Sequence, residues 1–461
     1  MDEDQLHFKR KWSEIRDAAL HVVLLTRRSE GFWALPTVDT ELGDTYSVAG
    51  TPEEKIRNGD KFGSPSITVS YNALCGLTDA LGSRSRAIAA QTLAKIEDHR
   101  GKHGGYGSLV PRMHQRIVNA VPRHTAMAII AQLEFGSGDA ASAVQRHLEP
   151  SIHWLLDNQL KSGGWPYDRT NPQPVLGFIS TASSICAIQM FLDKFGPIDR
   201  KTNSKARSAI ALAVAALTNN QRDGVWNGDN DGSPPDKQVR DVAFALRLLL
   251  KANLNSHNSD ASINITSMVE RFSAIALEDG WPNAVTSHQK NIAASASGLA
   301  VLIDSKNCVG MPPEKVRLIE KGIIDCWGAG EAPPHLAAWD WQCLLFLSNK
   351  LSAPLSDSQA LMIQRNCERI RTKWLSGKLT DRDVSKLTEK IRDVIVFSLT
   401  EGEGFKSDSS RTRAAKTMTW LTKKVTERLI VQGVIALLSL FVAVTIFGVD
   451  PIEYLKKLLS R

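Results

Sequence analysis

The chain has 461 residues, of which 43% are hydrophobic and 23% charged, a composition that excludes a wholly disordered or collagen-like protein. Its six cysteines stand singly without a CxxC pair, which argues against a disulfide-stapled secreted domain or a zinc ribbon. The net charge of +7 belongs to the tail: residues 405–461 hold ten Lys/Arg and four Asp/Glu, whereas the preceding 404 residues hold 46 and 45. A general nucleic-acid-binding surface is therefore not supported.

The body of the chain repeats a turn in which glycine precedes an aromatic residue. This turn occurs at Gly31-Phe32-Trp33, Gly104-Gly105-Tyr106, Gly163-Gly164-Trp165, Gly224-Val225-Trp226, Gly280-Trp281 and, in degenerate form, Asp325-Cys326-Trp327. Segments rich in Leu and Ala, such as SAIALAVAALTNN, precede several of the turns and predict helices. Internal repetition of this kind indicates an architecture of stacked units.

A second type of helix is predicted after each turn. The segments are VSYNALCGLTDAL, HTAMAIIAQLEF, STASSICAIQMFL, RDVAFALRLLL, NIAASASGLAVLI and HLAAWDWQCLLFL, and each carries apolar or small residues on nearly every face. A helix that is apolar all round must be buried on both sides. Six alternations of an amphipathic and a buried helix predict an all-α protein made of two concentric rings of helices, with almost no strands.

The turns at Asn158–Trp165 and Gln221–Trp226 resemble the QW-type repeat of terpenoid cyclases and protein prenyltransferases. The resemblance covers roughly residues 10–350, and we take residues 1–350 as the corresponding domain. It implies an α/α toroid of about six helical hairpins, in which the N-terminal ends of the inner helices converge on a central cavity. It says more about fold than about activity, because many chemistries share one scaffold.

The residues that open the inner helices are the candidate ligand-binding set, because helix N-termini favour anions. They are basic or polar: Arg123, His124, Arg240, Asp241, His288, Lys290 and His335. Ser180, Thr181 and Asn291 lie at the same places and can equally serve as N-caps. Basic groups at four separate openings predict a pocket for an anionic ligand.

The catalytic motifs of the resembling families are poorly matched. Laid over residues 238–243, the D-x-D-D-T-A acid motif of class II terpene cyclases keeps Asp241 but has Arg240 at its central acid position. Arginine there favours an ionised Asp241, the opposite of what alkene protonation needs. Asp325, Cys326 and His335 match the zinc ligands of protein prenyltransferases poorly. We therefore predict no catalytic residue, metal or cofactor, and the motifs lean against an enzyme.

The C-terminal part predicts a membrane anchor. Residues 351–428 form a predicted helical linker with a basic juxtamembrane segment, and residues 450–461 a short tail. Between them Leu429–Val449 has 21 residues without a charge, enough for a helix of about 30 Å that spans a bilayer once. Seven Lys/Arg upstream against three downstream place the body on the cytoplasmic side of the inner membrane. The N-terminus lacks the layout of a signal peptide.

Two functions remain open from the sequence. In the first, the protein is a non-catalytic sensor whose toroid binds an anionic small molecule, a nucleotide or an oligonucleotide. Occupancy then controls an oligomeric membrane segment, a layout similar to that of bacterial anti-phage nucleotide-signalling effectors. In the second, the protein is a membrane-tethered terpenoid cyclase or prenyltransferase-like enzyme that acts on an isoprenoid diphosphate. Both expect the lipid bilayer as a partner, and the first also expects a homo-oligomer.

Overall fold

The computed structural model describes residues 3–27, 31–33, 66–112, 115–136, 141–167, 175–196, 198–226, 238–252, 254, 259–282, 284–285, 287–288, 290–305, 312–328 and 338–375. Its α-helices are α1 (Glu3–Leu25), α2 (Ile67–Leu81), α3 (Arg86–Glu97), α4 (Pro122–Phe135), α5 (Ala141–Asp157), α6 (Phe178–Phe195), α7 (Arg200–Asn220), α8 (Gln238–Lys251), α9 (Ser259–Ala274), α10 (Ile292–Asp304), α11 (Pro313–Gly328), α12 (Ala338–Leu351) and α13 (Asp357–Leu375). The predicted all-α class is confirmed, and the six predicted buried helices correspond to the even-numbered helices α2–α12.

The even-numbered helices contact one another in cyclic order. Helix α2 packs on α4, α4 on α6, α6 on α8, α8 on α10, α10 on α12, and α12 packs back on α2. The odd-numbered helices cover them: α1 lies against α12 and α2, α3 against α2 and α4, α5 against α4 and α6. Helix α7 lies against α6, α9 against α8, and α11 against α10. We refer to the even-numbered helices as inner helices and to the odd-numbered helices from α1 to α11 as outer helices.

Burial follows this division between inner and outer helices. Along α6, every residue from Phe178 to Gln189 is buried, and along α10 the same holds from Ile292 to Val301. Outer helix α7 buries only one face, which includes Ala206, Ala213 and Leu217. Because small residues such as Ala and Ser occupy much of α6 and α10, neighbouring helices can approach them on all sides.

Each glycine-aromatic turn is fixed by a hydroxyl group on the inner helix that follows it. In four units the fourth residue of that helix accepts a hydrogen bond from the N–H of the turn's aromatic residue and donates one to its carbonyl oxygen. The pairs are Ser70 with Trp33, Thr125 with Tyr106, Thr181 with Trp165 and Ser295 with Trp281. The N–H of a buried residue is thereby satisfied, and its carbonyl oxygen gains a partner beside the backbone N–H of the N-cap residue, which it also accepts from in the Trp33, Tyr106 and Trp281 units.

The tryptophan rings link each turn to the end of the preceding outer helix. The indole N–H groups of Trp33, Trp165 and Trp226 donate to the carbonyl oxygens of Val23, Leu155 and Leu217 at 2.7, 2.7 and 2.8 Å. Those carbonyls lie in the last turn of a helix, and those of Leu155 and Leu217 also accept from the backbone N–H groups of Asn158 and Gln221. One buried ring thus fills the space between two helices and caps one of them.

Two short antiparallel strand pairs correct the expectation of almost no strands. Strand β1 (Gly107–Arg112) pairs with β2 (Gln115–Ala120), with Gly107 opposite Ala120, and β3 (Trp165–Pro166) pairs with β4 (Leu176–Gly177). The degenerate turn at Asp325-Cys326-Trp327 is also corrected, since these residues end helix α11. They contain neither glycine nor proline to interrupt the helix.

The chain divides into two compact units, residues 1–401 and 402–461. The second unit, which includes the predicted membrane segment Leu429–Val449, lies outside the described residues. Within the part of the chain that the structure describes, no helix is both long and apolar enough to cross a membrane. The predicted linker helix is present as α13, which packs against α1.

Candidate functional site

A cavity of about 570 Å³ lies among the inner helices. Its described walls come from α2, α4, α8, α10 and α12. The lining residues are Tyr71, Asn72, Cys75, Thr78, Asp79, Glu134, Phe135, Arg240, Phe244, Arg247, Leu248, Leu250, Lys251, Ser297, Asp304, Ser305, Gln342, Cys343, Phe346 and Lys350. A cavity that five converging helices enclose is a standard location for a ligand site.

Helix α8 supplies one complete wall of the cavity. Arg240, Phe244, Arg247 and Lys251 follow one another at intervals of four, three and four residues, the spacing of one helix face. From Arg240 in the first turn to Lys251 at the last residue this face is about 16 Å long at the rise of an α-helix. The cavity is therefore elongated along α8, with a cation near each end.

Two buried amides face the cavity without partners. Both amide atoms of Gln342, whose side chain is only 2% exposed, and Nδ2 of Asn72 make no hydrogen bond to any described residue. Burying such a group unsatisfied costs about 1–3 kcal/mol. Gln342 and Asn72 belong to neighbouring helices α12 and α2, and the cavity that they line also contains Arg240. A polar ligand group at this place would supply the missing hydrogen bonds.

Ion pairs surround the other end of the cavity, near the C-termini of the inner helices. Arg247 Nε donates to Asp304 Oδ2 at 2.7 Å, Lys350 Nζ lies 3.2 Å from Asp79 Oδ2, and Lys251 pairs with Glu134. All three carboxylates that line the described cavity thus form an ion pair with a lysine or an arginine. The cations also complement the partial negative charge at helix C-termini.

Aromatic rings occupy the space between the two polar ends. The guanidinium carbon of Arg247 lies 3.9 Å from the centroid of Phe346, and Lys350 Nζ lies 5.5 Å from the same ring. Phe244 and Tyr71 add further ring surface to the lining. The cavity thus combines an apolar middle with one end rich in unsatisfied polar groups.

The predicted residues Arg123 and His124 are placed at the start of inner helix α4, away from the described cavity lining. Arg123 Nε and His124 Nδ1 are buried and make no hydrogen bond to described residues. Burial, with the nearby charges of Arg123 and His99, lowers the pKa of His124 to about 3. His124 is therefore a neutral ring at physiological pH, so Arg123 is the cation of this pair.

Asp241 holds the place that hydroxyl residues hold in the other repeats. It is the fourth residue of α8, as Ser70, Thr125, Thr181 and Ser295 are the fourth residues of their helices. The register therefore predicts that Asp241 fixes the Trp226 turn. Of the residues predicted at the openings, only Arg240 lies among the described lining residues of the cavity.

The remaining predicted residues lie just before α10 or outside the described residues. His288 is exposed, and Lys290 forms an ion pair with Asp279. Asn291 is the N-cap of α10, where its side chain accepts from the N–H groups of Ala293 and Ala294. His335 lies outside the described residues. Of the predicted residues that the structure describes, Arg240 lines the described cavity, and the site as a whole stays a prediction.

The sequence reasoning missed most of the lining. Tyr71, Glu134, Lys251, Gln342 and Phe346 lie within or at the ends of inner helices rather than at their openings. The signal for α8 was present, since a cation recurs at positions 240, 247 and 251 on one face of an otherwise apolar helix. Among the described residues, no group of three or more His, Cys, Asp and Glu side chains could hold a metal ion.

No family model matches the chain, and no curated protein matches it. Among solved structures, a variant of the type II terpene cyclase MstE from Scytonema, in complex with its product merosterolic acid A, is 12% identical with a TM-score of 0.45. That match covers 75% of this chain and 98% of the cyclase. A second MstE variant, in complex with its substrate geranylgeranyl dihydroxybenzoate, is 11% identical with a TM-score of 0.44 over 77% and 99% of the two chains.

Proposed function

We propose that residues 1–350 form an α/α toroid whose central cavity binds an elongated amphiphile with an anionic head group, of the isoprenoid diphosphate class. The cyclic contacts of the six inner helices and the outer helices that cover them support the toroid. The elongated cavity supports an elongated ligand. Its aromatic middle suits a hydrocarbon, which gains about 25 cal/mol for each Å² removed from water.

The observation that carries this proposal is the unsatisfied polar end of the cavity. Both amide atoms of Gln342 and Nδ2 of Asn72 lack hydrogen-bond partners among the described residues, and the cavity that these residues line also contains Arg240. Amide N–H groups donate to phosphate oxygens, and a guanidinium binds two of them at once. The head group would therefore lie near Arg240, and the chain would extend past Phe244 and Phe346.

The cavity favours binding over cyclisation that starts from alkene protonation. Such a reaction needs a carboxyl group that stays protonated. Asp79, Glu134 and Asp304, the described carboxylates in the lining, each form an ion pair with a lysine or an arginine, so none of them is a carboxyl group set apart from positive charge. We therefore propose a receptor or carrier for the ligand rather than an enzyme of this class.

A nucleotide is the second candidate ligand, as the sensor function expects. The Gln342 amide favours it specifically, because both of its polar atoms lack partners and a side-chain amide can both donate to and accept from a base edge. Aromatic rings such as Phe346 could then stack on the base. The two candidates share the anionic group and differ in what fills the middle of the cavity.

Mass spectrometry of the intact purified protein and calorimetric titration test the two candidates. We expect farnesyl diphosphate to bind and ATP to bind at least tenfold more weakly. Arg240→Ala and Gln342→Leu should each weaken farnesyl diphosphate binding about tenfold or more, the loss of one charge-assisted hydrogen bond. Arg207→Ala, on the exposed face of outer helix α7, is the control. Tighter binding of ATP would favour the nucleotide sensor, and equal effects of the three variants would contradict the site.

We also propose that Leu429–Val449 anchors the protein in a membrane, with residues 1–401 on the cytoplasmic side. The 21 uncharged residues and the basic segment before them support this anchor and its orientation. A hydrophobic ligand would be available at the membrane surface. Fractionation of cells expressing the full chain or residues 1–428 tests the anchor. The full chain should sediment with membranes and require detergent for release, whereas equal partitioning of both chains would contradict the anchor.

A further inference from the structure

The C-terminal ends of five inner helices lie together at one end of the cavity. Three ion pairs of the lining each join two inner helices within the last five residues of both. They are Arg247–Asp304 between α8 and α10, Lys350–Asp79 between α12 and α2, and Lys251–Glu134 between α8 and α4. The amide atoms of Gln342 and Asn72 that lack partners belong instead to the first half of α12 and of α2. The two ends of the cavity therefore differ chemically.

Exposure of the lining residues rises towards the C-terminal ends of the helices. On α12, Gln342 is 2% exposed, Phe346 is half-buried and Lys350 is exposed. On α8, Phe244 is 6% exposed, whereas Lys251 at the last residue is exposed. The cavity is therefore open to solvent at this end. We refer to this opening as the mouth and define it by the exposed residues of the described lining, which are Asp79, Glu134, Lys251 and Lys350.

Apolar side chains continue from the middle of the cavity to the mouth. Phe135 is the last residue of α4, Leu250 is the last but one of α8, and both are half-buried in the lining, as Phe346 is. All four charged residues that define the mouth form ion pairs across it, so their charges are balanced. The mouth thus offers apolar surface to a hydrocarbon and no net positive charge to a second anionic group.

We propose that the hydrocarbon chain of the ligand leaves the cavity through the mouth, so that the protein binds long polyprenyl diphosphates. This inference rests on the proposed binding of an isoprenoid diphosphate, with its head group near Arg240. The α8 wall is about 16 Å long, and a longer chain cannot be held inside. Because the far end is open, such a chain extends through the mouth, and its remainder lies in a membrane or a detergent micelle. Chain length beyond that of the cavity is therefore not selected against.

Geranyl and undecaprenyl diphosphate, titrated calorimetrically into the full-length protein in micelles, test the mouth. Thr78, half-buried in the lining beside Asp79, is replaced by tryptophan to narrow it. We expect Thr78→Trp to weaken binding of undecaprenyl diphosphate at least about tenfold more than that of geranyl diphosphate. Each ligand is compared between two proteins, so its partition into micelles cancels. Leu212→Trp, at an exposed position of α7, should change neither. Equal effects of Thr78→Trp on both ligands, or a wild type that binds only geranyl diphosphate, would overturn the proposal.

Failure of the mouth can be distinguished from failure of the proposed function. If the wild-type protein binds neither diphosphate, the proposed ligand is wrong, and labelling with N-ethylmaleimide tests the mouth alone. Cys343 is 8% exposed and lines the cavity, so the reagent should reach it through the mouth.

We expect Thr78→Trp to slow the labelling of Cys343, located by peptide mass spectrometry, at least about tenfold. Cys367, which is 3% exposed and outside the described lining, should be labelled equally slowly in both proteins. Equal rates at Cys343, or no labelling of it in the wild type, would overturn the proposal. If thermal unfolding shows that Thr78→Trp does not fold, Leu250→Trp narrows the same mouth and takes its place.

Discussion

In four repeats, one hydroxyl group on the inner helix stabilises the glycine-aromatic turn that precedes the helix. Thr181 Oγ1 accepts from Trp165 N–H at 2.9 Å and donates to Trp165 O at 3.2 Å, all three groups being buried. Thr181→Val keeps the shape but leaves the Trp165 N–H without its acceptor, which should lower the free energy of unfolding by about 1–3 kcal/mol. Urea denaturation measures this change.

Ser183 gives a matched control for Thr181. It is equally buried two residues further along α6, but its hydroxyl donates only to carbonyls of its own helix, those of Ile179 and Ser180. Those carbonyls also take part in the helix, so Ser183→Ala should cost clearly less than Thr181→Val. Equal losses in the two variants would show that the turn contact adds nothing to stability.

The neutral state of His124 predicts an acid sensitivity. Since burial lowers its pKa to about 3 from 6.5, the unfolded chain binds a proton between these two pH values that the folded protein does not. Folding stability should therefore fall as the pH falls from 6.5 towards 3, by up to about 1.4 kcal/mol per pH unit. His124→Asn should flatten this part of the stability profile, as measured by urea denaturation at several pH values. A variant that keeps the wild-type slope would contradict a buried neutral ring.

At the scale of single elements, two glycines with positive φ differ in the space around them: Gly164 in a glycine-aromatic turn and Gly196 at the end of α6. Gly164 has φ of +74°, and a Cβ there would lie 2.5 Å from Leu176 Cδ1 and 2.8 Å from Thr181 Oγ1. Gly196, after α6, has a similar φ of +76° but open space around it. Gly164→Ala therefore adds a clash to the backbone strain that both substitutions share.

We expect Gly164→Ala to be the more destabilising of this pair. Gly196→Ala should cost about 1–3 kcal/mol because its backbone, with φ of +76° and ψ of −169°, lies in a region that glycine alone adopts readily, and Gly164→Ala should cost at least about 1 kcal/mol more because overpacking adds to strain. Thermal and urea unfolding of both variants measure the difference. Equal destabilisation would mean that the turn moves to accommodate a methyl group.

Helices and turns could be predicted from the sequence where a residue pattern repeats. Contacts between helices that are not neighbours in the cycle could not. All-round apolar segments gave the inner helices, and the glycine-aromatic turns gave the boundaries before them, because each is a local property of the chain. The hairpin from Gly107 to Ala120 was missed, since Pro111 and the two arginines, Arg112 and Arg116, interrupt its alternation. The contact of Lys251 with Tyr71 joins residues 180 positions apart, and no local pattern encodes which helices face each other.

At the scale of the whole molecule, helix α12 closes the cycle of inner helices. Asn349 Nδ2 donates to Gly76 O of α2 at 3.0 Å, and Lys350 pairs with Asp79 of the same helix. Close packing accompanies these bonds, because a Cβ on Gly76 would lie 3.0 Å from Leu345 Cδ2. Behind this junction α1 packs on α12. The first and last parts of the ring therefore depend on each other.

Removing α12 should consequently unfold much more than the C-terminal end. Trp341, Leu344, Leu345 and Leu347 are buried in this helix, and at about 1.5–3 kcal/mol for each side chain their burial matches the 5–15 kcal/mol by which whole domains are stable. We expect a chain of residues 1–337 to lose cooperative thermal unfolding and to be digested rapidly by protease. A chain of residues 1–401, which keeps the first compact unit, should unfold cooperatively and resist digestion. A cooperative transition in the shorter chain at the temperature of the longer one would show that the inner helices do not depend on a closed cycle.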